Sequence, residues 1–371
     1  VDFETDGRLT AFRERGRRVG RALVKPSLTS RDRSARWDPE LFIGLTAEGV
    51  PGAPLPEDSG GLGATALETV FLLEGFGAGS GDMGLSSAIG AHGVLCGVSI
   101  AVHGSIAQKR RYLAPMASGA WLGAVCPSTV DGHVRPAVQA REDHSGWMLD
   151  GSFPAVVNAP DAHHFLTIAT GPGGVQTAFL IDREVPGVVV REAPVLTALR
   201  TSRTAEVVLE ECAVSADAVL GTPGCADAEL IPLLAALERT CLLAPWLGLL
   251  REMSLEVVDL VSVRPVLARS QSARMAAVDL RTRTELAADL LYRAAWQLDA
   301  LDRPPRENAA MAKTFLVEAL DAATRTVATL GGHSPGRPPT PAYRDALNFA
   351  AADGAGVTLR SVVADSLLRK N

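Results

Sequence analysis

At 371 residues and 38.9 kDa the chain can bury a large core, and two or three domains are expected. Hydrophobic residues make up 47% and charged residues 21%, which excludes a disordered or fibrous chain and fits a globular one. The net charge of −6, with 36 basic residues scattered along the sequence, gives no electrostatic reason to expect nucleic acid as a partner.

The sequence begins with Asp2, Glu4 and Asp6 and lacks the basic-then-apolar order of a signal peptide. From Leu9 to about residue 120 apolar side chains recur at three- and four-residue spacing, as in Leu67, Phe71, Leu72 and Phe76, and this predicts helices. Residues 50–64 interrupt them with a Pro- and Gly-rich loop. From about residue 121 to 221 the period becomes that of strands, with short runs at 165–169, 178–181, 188–190 and 205–209. Asp150-Gly151 predicts a hairpin turn after Trp147, Met148 and Leu149. From residue 227 the helical period returns, with a stripe at Leu280, Ala287, Leu290, Leu291, Ala294, Leu298 and Leu301 and breaks at 302–305 and 331–341.

The order of elements gives an α+β chain with an N-terminal α-helical domain at 1–120, a central β domain at 121–225 and a C-terminal four-helix bundle at 226–371. The longest apolar stretches, such as residues 241–250, have about half the length of a membrane span, so no membrane partner is expected. Cys96, Cys126, Cys212, Cys225 and Cys241 show no CxxC spacing, so neither a disulfide framework nor a metal site is expected. A cytoplasmic protein with reduced thiols is the expectation.

Several segments resemble the acyl-CoA dehydrogenase family. Residues 54–64, PLPEDSGGLGA, are similar to the family's PEEYGGLGA segment. Residues 86–126 follow its HxSL…GTEEQKxRYLPPLASGEWLGAF pattern, with Gln108, Lys109, Tyr112, Leu113, Pro115, Ala117, Ser118 and Gly119 in place. LRTSRTAEVVLEECAVSADAVLG at 199–221, LERTCLLAPWLGLL at 237–250 and YRDA at 343–346 extend the match to the end of the β domain and into the C-terminal helices. The resemblance implies a helical N-terminal domain, a barrel-like β domain and a four-helix C-terminal domain. It also implies FAD at a subunit interface, a homodimer or homotetramer, and an acyl-CoA or acyl-carrier-protein thioester as substrate.

Family members oxidise the thioester between Cα and Cβ, with a carboxylate taking the Cα proton and the flavin taking hydride. Two positions for the base are known in the family, and Glu238, in LERTCLLA beside Arg239, matches one. Asp353, in AADGA, stands where other members carry the Glu of YEGT. Its shorter side chain makes it the second choice. The flavin-contacting TExxxGSD segment aligns with 126–133, bringing Cys126, Ser128, Thr129, Gly132 and His133 to cofactor or substrate-pocket positions. The GxKxWIT segment aligns with 151–157, where Ala155, Val156 and Val157 replace Trp, Ile and Thr. RxxFG reduces to Arg264-Pro265-Val266-Leu267, and QxxGG becomes 328–332, keeping Gly331 and Gly332 but placing Ala328 for Gln.

Each lost contact to a charged group costs roughly 1.5–3 kcal/mol, so several together can remove three or more powers of ten in FAD affinity. His133 is either an acid/base group or a loop histidine that only hydrogen-bonds. His92 is a structural or pocket residue, and Cys126 is an apolar filler or a nucleophile. Three readings therefore stand: a flavin-dependent dehydrogenase, a flavin-free homologue with other thioester chemistry, and a non-catalytic subunit paired with a flavin-binding paralogue.

Overall fold

The computed structural model describes residues 6–126, 138–143, 146–192, 196–300, 305–331, 340–352 and 356–368. Helices come first: α1 (Gly7–Val19), a π-helical turn Gly20–Val24, α2 (Lys25–Ser34), α3 (Pro39–Ala47), α4 (Ala66–Ser80) and α5 (Met83–Ile89). A second π-helical turn, Gly90–Gly97, leads into α6 (Val98–His103), and α7 (Ile106–Ala117) follows. Local chemistry sets the starts. The Asp6 carboxylate accepts the Arg8 N–H at 2.8 Å, and Ser105 and Gln108 form a reciprocal capping box at the head of α7.

Among the described residues eight strands then form one mixed sheet: β1 (Gly123–Val125), β2 (Gln139–Asp143), β3 (Gly146–Val157), β4 (His164–Thr170), β5 (Gln176–Asp182), β6 (Val188–Glu192), β7 (Thr204–Ser215) and β8 (Val219–Leu220). Their order is β6-β7-β3-β2-β4-β5-β8, with β1 paired to β4. Most pairings are antiparallel, and β1 and β2 meet β4 in parallel. The apolar runs read from the sequence are the cores of β4 to β7.

The Asp150-Gly151 hairpin is not formed. β3 runs straight through it, and the register against β7 shifts there, from Leu149↔Cys212 to Gly151↔Leu209. Two residues of β7, Glu210 and Glu211, oppose Asp150, so the feature is a bulge. Gly151 (φ 144°) and Glu211 (φ 45°) absorb the kink, and the Asp150 carboxylate accepts the Glu211 N–H at 2.7 Å.

β4 is buried on both faces because alternate side chains enter two cores. Phe165 and Ala169 join Phe153, Phe179, Ile181, Val207 and Leu209 on one side. Leu166 and Ile168 join Leu55, Ile100, Leu113, Met116, Leu180, Leu230 and Leu234 on the other, where helices cover the sheet.

The remaining helices are α8 (Leu230–Glu238), α9 (Ala244–Val263), α10 (Pro265–Arg269), α11 (Gln271–Ala300), α12 (Arg306–Gly331), α13 (Pro341–Ala352) and α14 (Gly356–Leu368). Contacts divide the chain into two compact units: Val1–Asp32, Ala66–Ser86 and Arg239–Asn371 form one, and Arg33–Thr65 with Ser87–Glu238 form the other. The expected segments 1–120, 121–225 and 226–371 follow the helix–strand–helix order of the elements, and the N-terminal one contributes to both contact units. The reason lies in α4, which is buried almost all round and finds its partners in α1, α9 and α11, far away in sequence.

In the first unit α1 and α4 approach closely through glycines. A Cβ on Gly16 would lie 2.0 Å from Leu72 O, and one on Gly75 would lie 1.9 Å from Arg13 O. Buried beside them is Glu74, 1% exposed. Its carboxylate accepts from Arg251 Nε at 2.6 Å and from the Tyr292 hydroxyl at 2.5 Å, with Arg13 Nε at 3.6 Å. Burial draws the Arg251 pKa down, but Glu74, Tyr292 and Glu285 raise it further, so the net shift is upward and the guanidinium stays charged.

Apolar helical stretches are longer than the sequence runs suggest. Met83–His103 and Leu230–Val263 have the length and composition of a membrane span, but 72% and 83% of their most apolar windows are buried inside the protein. They are read as core helices.

Candidate active site

The second unit brings together the ends of two strands that carry sequence-predicted positions. β1 ends at Val125 and hands the chain to Cys126, while β3 ends at Val156 and Val157. Val156 is fully buried in the sheet core, Val157 is half-buried, and Ala155 is exposed. Ala155 and Val157, two residues apart, form an apolar ledge on the outward face of β3.

Cys126 is 2% exposed, and burial pushes its thiol pKa well up. That environment suits a packing residue and disfavours the thiolate a nucleophile needs.

His92 lies in the π-helical turn Gly90–Gly97 and is fully buried. Its Nδ1 accepts the Gly123 N–H at 3.1 Å, which leaves the proton on Nε2 to be donated to Met116 O at 3.2 Å. Burial lowers its pKa to about 4, so the ring is neutral. Both nitrogens are occupied by backbone, and the ring acts as a strut.

Asn158, which the sequence reading did not single out, is 2% exposed and sits in the left-handed region at φ 71°. Its Nδ2 donates to Ala88 O at 2.9 Å and to Gly123 O at 3.3 Å. The signal in the sequence was an Asn just past a strand, a residue type that tolerates left-handed turns.

Glu238 closes α8 and is half-buried. Arg239, 3% exposed, is the first residue of the following stretch and belongs to the other unit. In that unit the two remaining segments aligned with the family's flavin contacts meet: Arg264 Nη1 donates to Leu330 O and Gly331 O at 3.4 Å each, at the end of α12. An arginine at helix-end carbonyls is a capping arrangement. Ser128, Thr129, Gly132, His133, Gly332 and Asp353 lie outside the described residues.

A flavin ring needs a flat apolar surface, and donors for its ring nitrogens and oxygens. The Ala155–Val157 ledge fits the first requirement. Val157 offers no hydroxyl where the family carries Thr, so among the described residues from 155 to 157 the only donors are main-chain amides. A cleft of about 380 Å3 opens nearby, lined by Thr204, Ala205, Glu192, Arg183, Arg200 and Arg203 among others. Its charge is largely spoken for: Arg203 pairs with Asp161, and Arg183 donates to Ala159 O and Ala162 O.

Residues 8–120 match the model of the acyl-CoA dehydrogenase N-terminal domain, and residues 230–368 match that of the acyl-CoA dehydrogenase C-terminal domain. The chain is 29% identical over 299 residues to the L-prolyl-(peptidyl-carrier protein) dehydrogenase of Pseudomonas fluorescens, covering 76% of this chain and 78% of that one. It is 27% identical over 376 residues to the mitochondrial isovaleryl-CoA dehydrogenase of Oryza sativa subsp. japonica, covering 97% and 91%. Among solved structures, PigA with FAD and proline superposes with a TM-score of 0.92 at 22% identity over the whole of both chains. Matched by the family's models at both helical ends and by its fold throughout, the chain belongs to the acyl-CoA dehydrogenase family.

Proposed function

We infer that the chain is a flavin-dependent dehydrogenase that oxidises an acyl thioester between Cα and Cβ. The observation that carries this is the match of both helical domains to the family's models, collinear with relatives named for CoA and for carrier-protein substrates. Bound FAD supplies the hydride acceptor. The Ala155–Val157 ledge would offer its ring an apolar surface, and Cys126 and Val156 pack in the sheet core at those strand ends. Glu238 takes the Cα proton, with Asp353 as the second choice of base. CoA and carrier proteins present the same thioester, so either source is compatible with this chemistry.

The test is to titrate the purified protein with FAD and measure turnover of acyl thioesters on CoA and on a carrier protein. Bound flavin with turnover on either carrier is expected. A protein that takes up no flavin would overturn the reading. In that case, release of the Cα proton without FAD would select a flavin-free enzyme, a reading favoured by the missing hydroxyl at Val157. Co-purification with a flavin-binding paralogue would select the subunit reading.

A second copy of the chain is the proposed partner. Val258, Val263, Val266, Met275 and Val278, on and between α9 and α11, are exposed, Val266 at 82%. Apolar surface left open along long helices points to association. Light scattering should give a dimer or tetramer at micromolar concentration, and a monomer there would remove this proposal.

A further inference from the structure

We propose that His92 and Asn158 are positioning residues for the flavin, together fixing the strand ends that carry Cys126 and Val157. The inference rests on the reading of the chain as an FAD enzyme. Its basis is the way Gly123 is held. Strand β1 is three residues long and pairs only with β4 among the described strands. On either side of it Leu122 O accepts the His163 N–H and the Cys126 N–H donates to Leu166 O, both at 2.8 Å, so alternation leaves Gly123 to point its N–H and C=O away from β4. His92 accepts that N–H at 3.1 Å and Asn158 donates to that C=O at 3.3 Å. Two side chains thus take the place of a neighbouring strand.

Each side chain is anchored at its other end. His92 is tied to Met116 O at the end of α7, with its ring edge against Phe42 at 5.3 Å. Asn158 is tied to Ala88 O in α5. Its own backbone turns the chain out of β3 immediately after Val157, with its N–H donating to Arg203 O at 2.9 Å and its C=O accepting from Asp161 at 3.0 Å. The exit of β3 and the head of β1 are therefore locked to each other through one amide. Gly123 allows the approach: a Cβ there would stand 2.9 Å from both Cys96 Sγ and His164 Nε2.

A ledge with few side-chain donors depends on where its backbone amides point, so holding the strand ends in register matters more than usual here. Four variants of the full chain test this: His92→Leu, which removes both ring bonds; His92→Gln, which can accept and donate at similar spacing; Asn158→Gly, which keeps the left-handed turn without the amide; and Asn158→Asp, which replaces the donor. The readout is the dissociation constant of FAD for the apo-protein, from fluorescence quenching, beside the thermal midpoint without FAD.

His92→Leu and Asn158→Gly should each weaken FAD binding by roughly tenfold or more. His92→Gln should recover most of the affinity, and Asn158→Asp should not. A purely structural role would lower the thermal midpoint and leave the FAD affinity of the folded fraction unchanged. That result in His92→Leu and Asn158→Gly overturns the proposal. Should His92→Leu fail to fold, Asn158→Gly against Asn158→Asp decides it alone. An unmutated protein that binds no FAD overturns the underlying reading and this inference with it, whereas normal binding by the parent and by every variant overturns the inference only.

Discussion

Glu238→Gln keeps the shape of the side chain and removes the proton acceptor at the end of α8. Exchange of the Cα proton of a bound acyl thioester into heavy water should then fall about 10²- to 10⁴-fold. Asp353→Asn should lose less, and the reverse order would transfer the role of base to Asp353. Exchange requires no hydride acceptor, so the measurement stands whatever the state of the flavin. Residue identities gave the candidates but not their surroundings. Glu238 was visible because it precedes Arg239 in a recurring pattern. Nothing in the sequence distinguishes the strut made by His92 from a histidine open to a pocket, since its partners, Met116 O and Gly123 N, are main-chain atoms that every residue possesses. Asn158 was missed for the same reason. Glu74 looks like any glutamate on a helix until Arg13, Arg251 and Tyr292 are brought to it.

Among the elements, α1 and α4 offer a contrast between two glycines. Gly75→Ala would drive a methyl to within 1.9 Å of Arg13 O, and backbone cannot rotate aside as a side chain can. A loss of about 1–3 kcal/mol or more is expected in urea unfolding, despite the better helix propensity of Ala. Gly44, in α3, has nothing within 4 Å of an added Cβ, so Gly44→Ala should gain about 0.5–1 kcal/mol. Equal effects in the two variants would mean that the close approach of α1 and α4 carries no energetic weight. Periodicity located the helices and strands well because burial follows it: β4 and β5 announce themselves as continuous apolar runs flanked by Gly and Pro. Asp150-Gly151 misled because the same pair that closes a two-residue turn can also accommodate a bulge, and only the opposing strand decides.

Over the whole molecule, two buried imidazoles should make the fold less stable in acid. Burial lowers His92 to about 4, and burial together with neighbouring positive charge lowers His164 to about 3, from an ordinary 6.5 in the unfolded chain. Above about pH 6.5 both are neutral in either state, and their contribution is fully present. As pH falls below that value the unfolded chain takes up protons first, and each imidazole costs about 1.4 kcal/mol per pH unit until its folded value is reached. Urea midpoints should therefore drop steeply between about pH 6 and 4. His164→Phe should flatten the slope by removing one titrating group, and neither ring nitrogen of His164 has a hydrogen-bond partner to lose among the described residues. An unchanged slope would assign the acid transition to other groups. The division into two units was not readable from the sequence, because a helix records which face is apolar and not which distant segment will cover it.

That interleaving has a consequence for a chain made from one end. Glu74 and Arg13 leave the ribosome early, whereas Arg251 and Tyr292 are added some two hundred residues later. Until then, closing α1 onto α4 would strand a carboxylate with incomplete compensation, at a cost of several kcal/mol. Ser87–Glu238, by contrast, contains every described strand and most of its own helical cover, and it is finished before Arg251 exists. Vectorial synthesis thus favours the sheet-bearing unit as the first to settle. Helices α1 and α4 wait, partly assembled, for α9 and α11 to complete the compensation of Glu74.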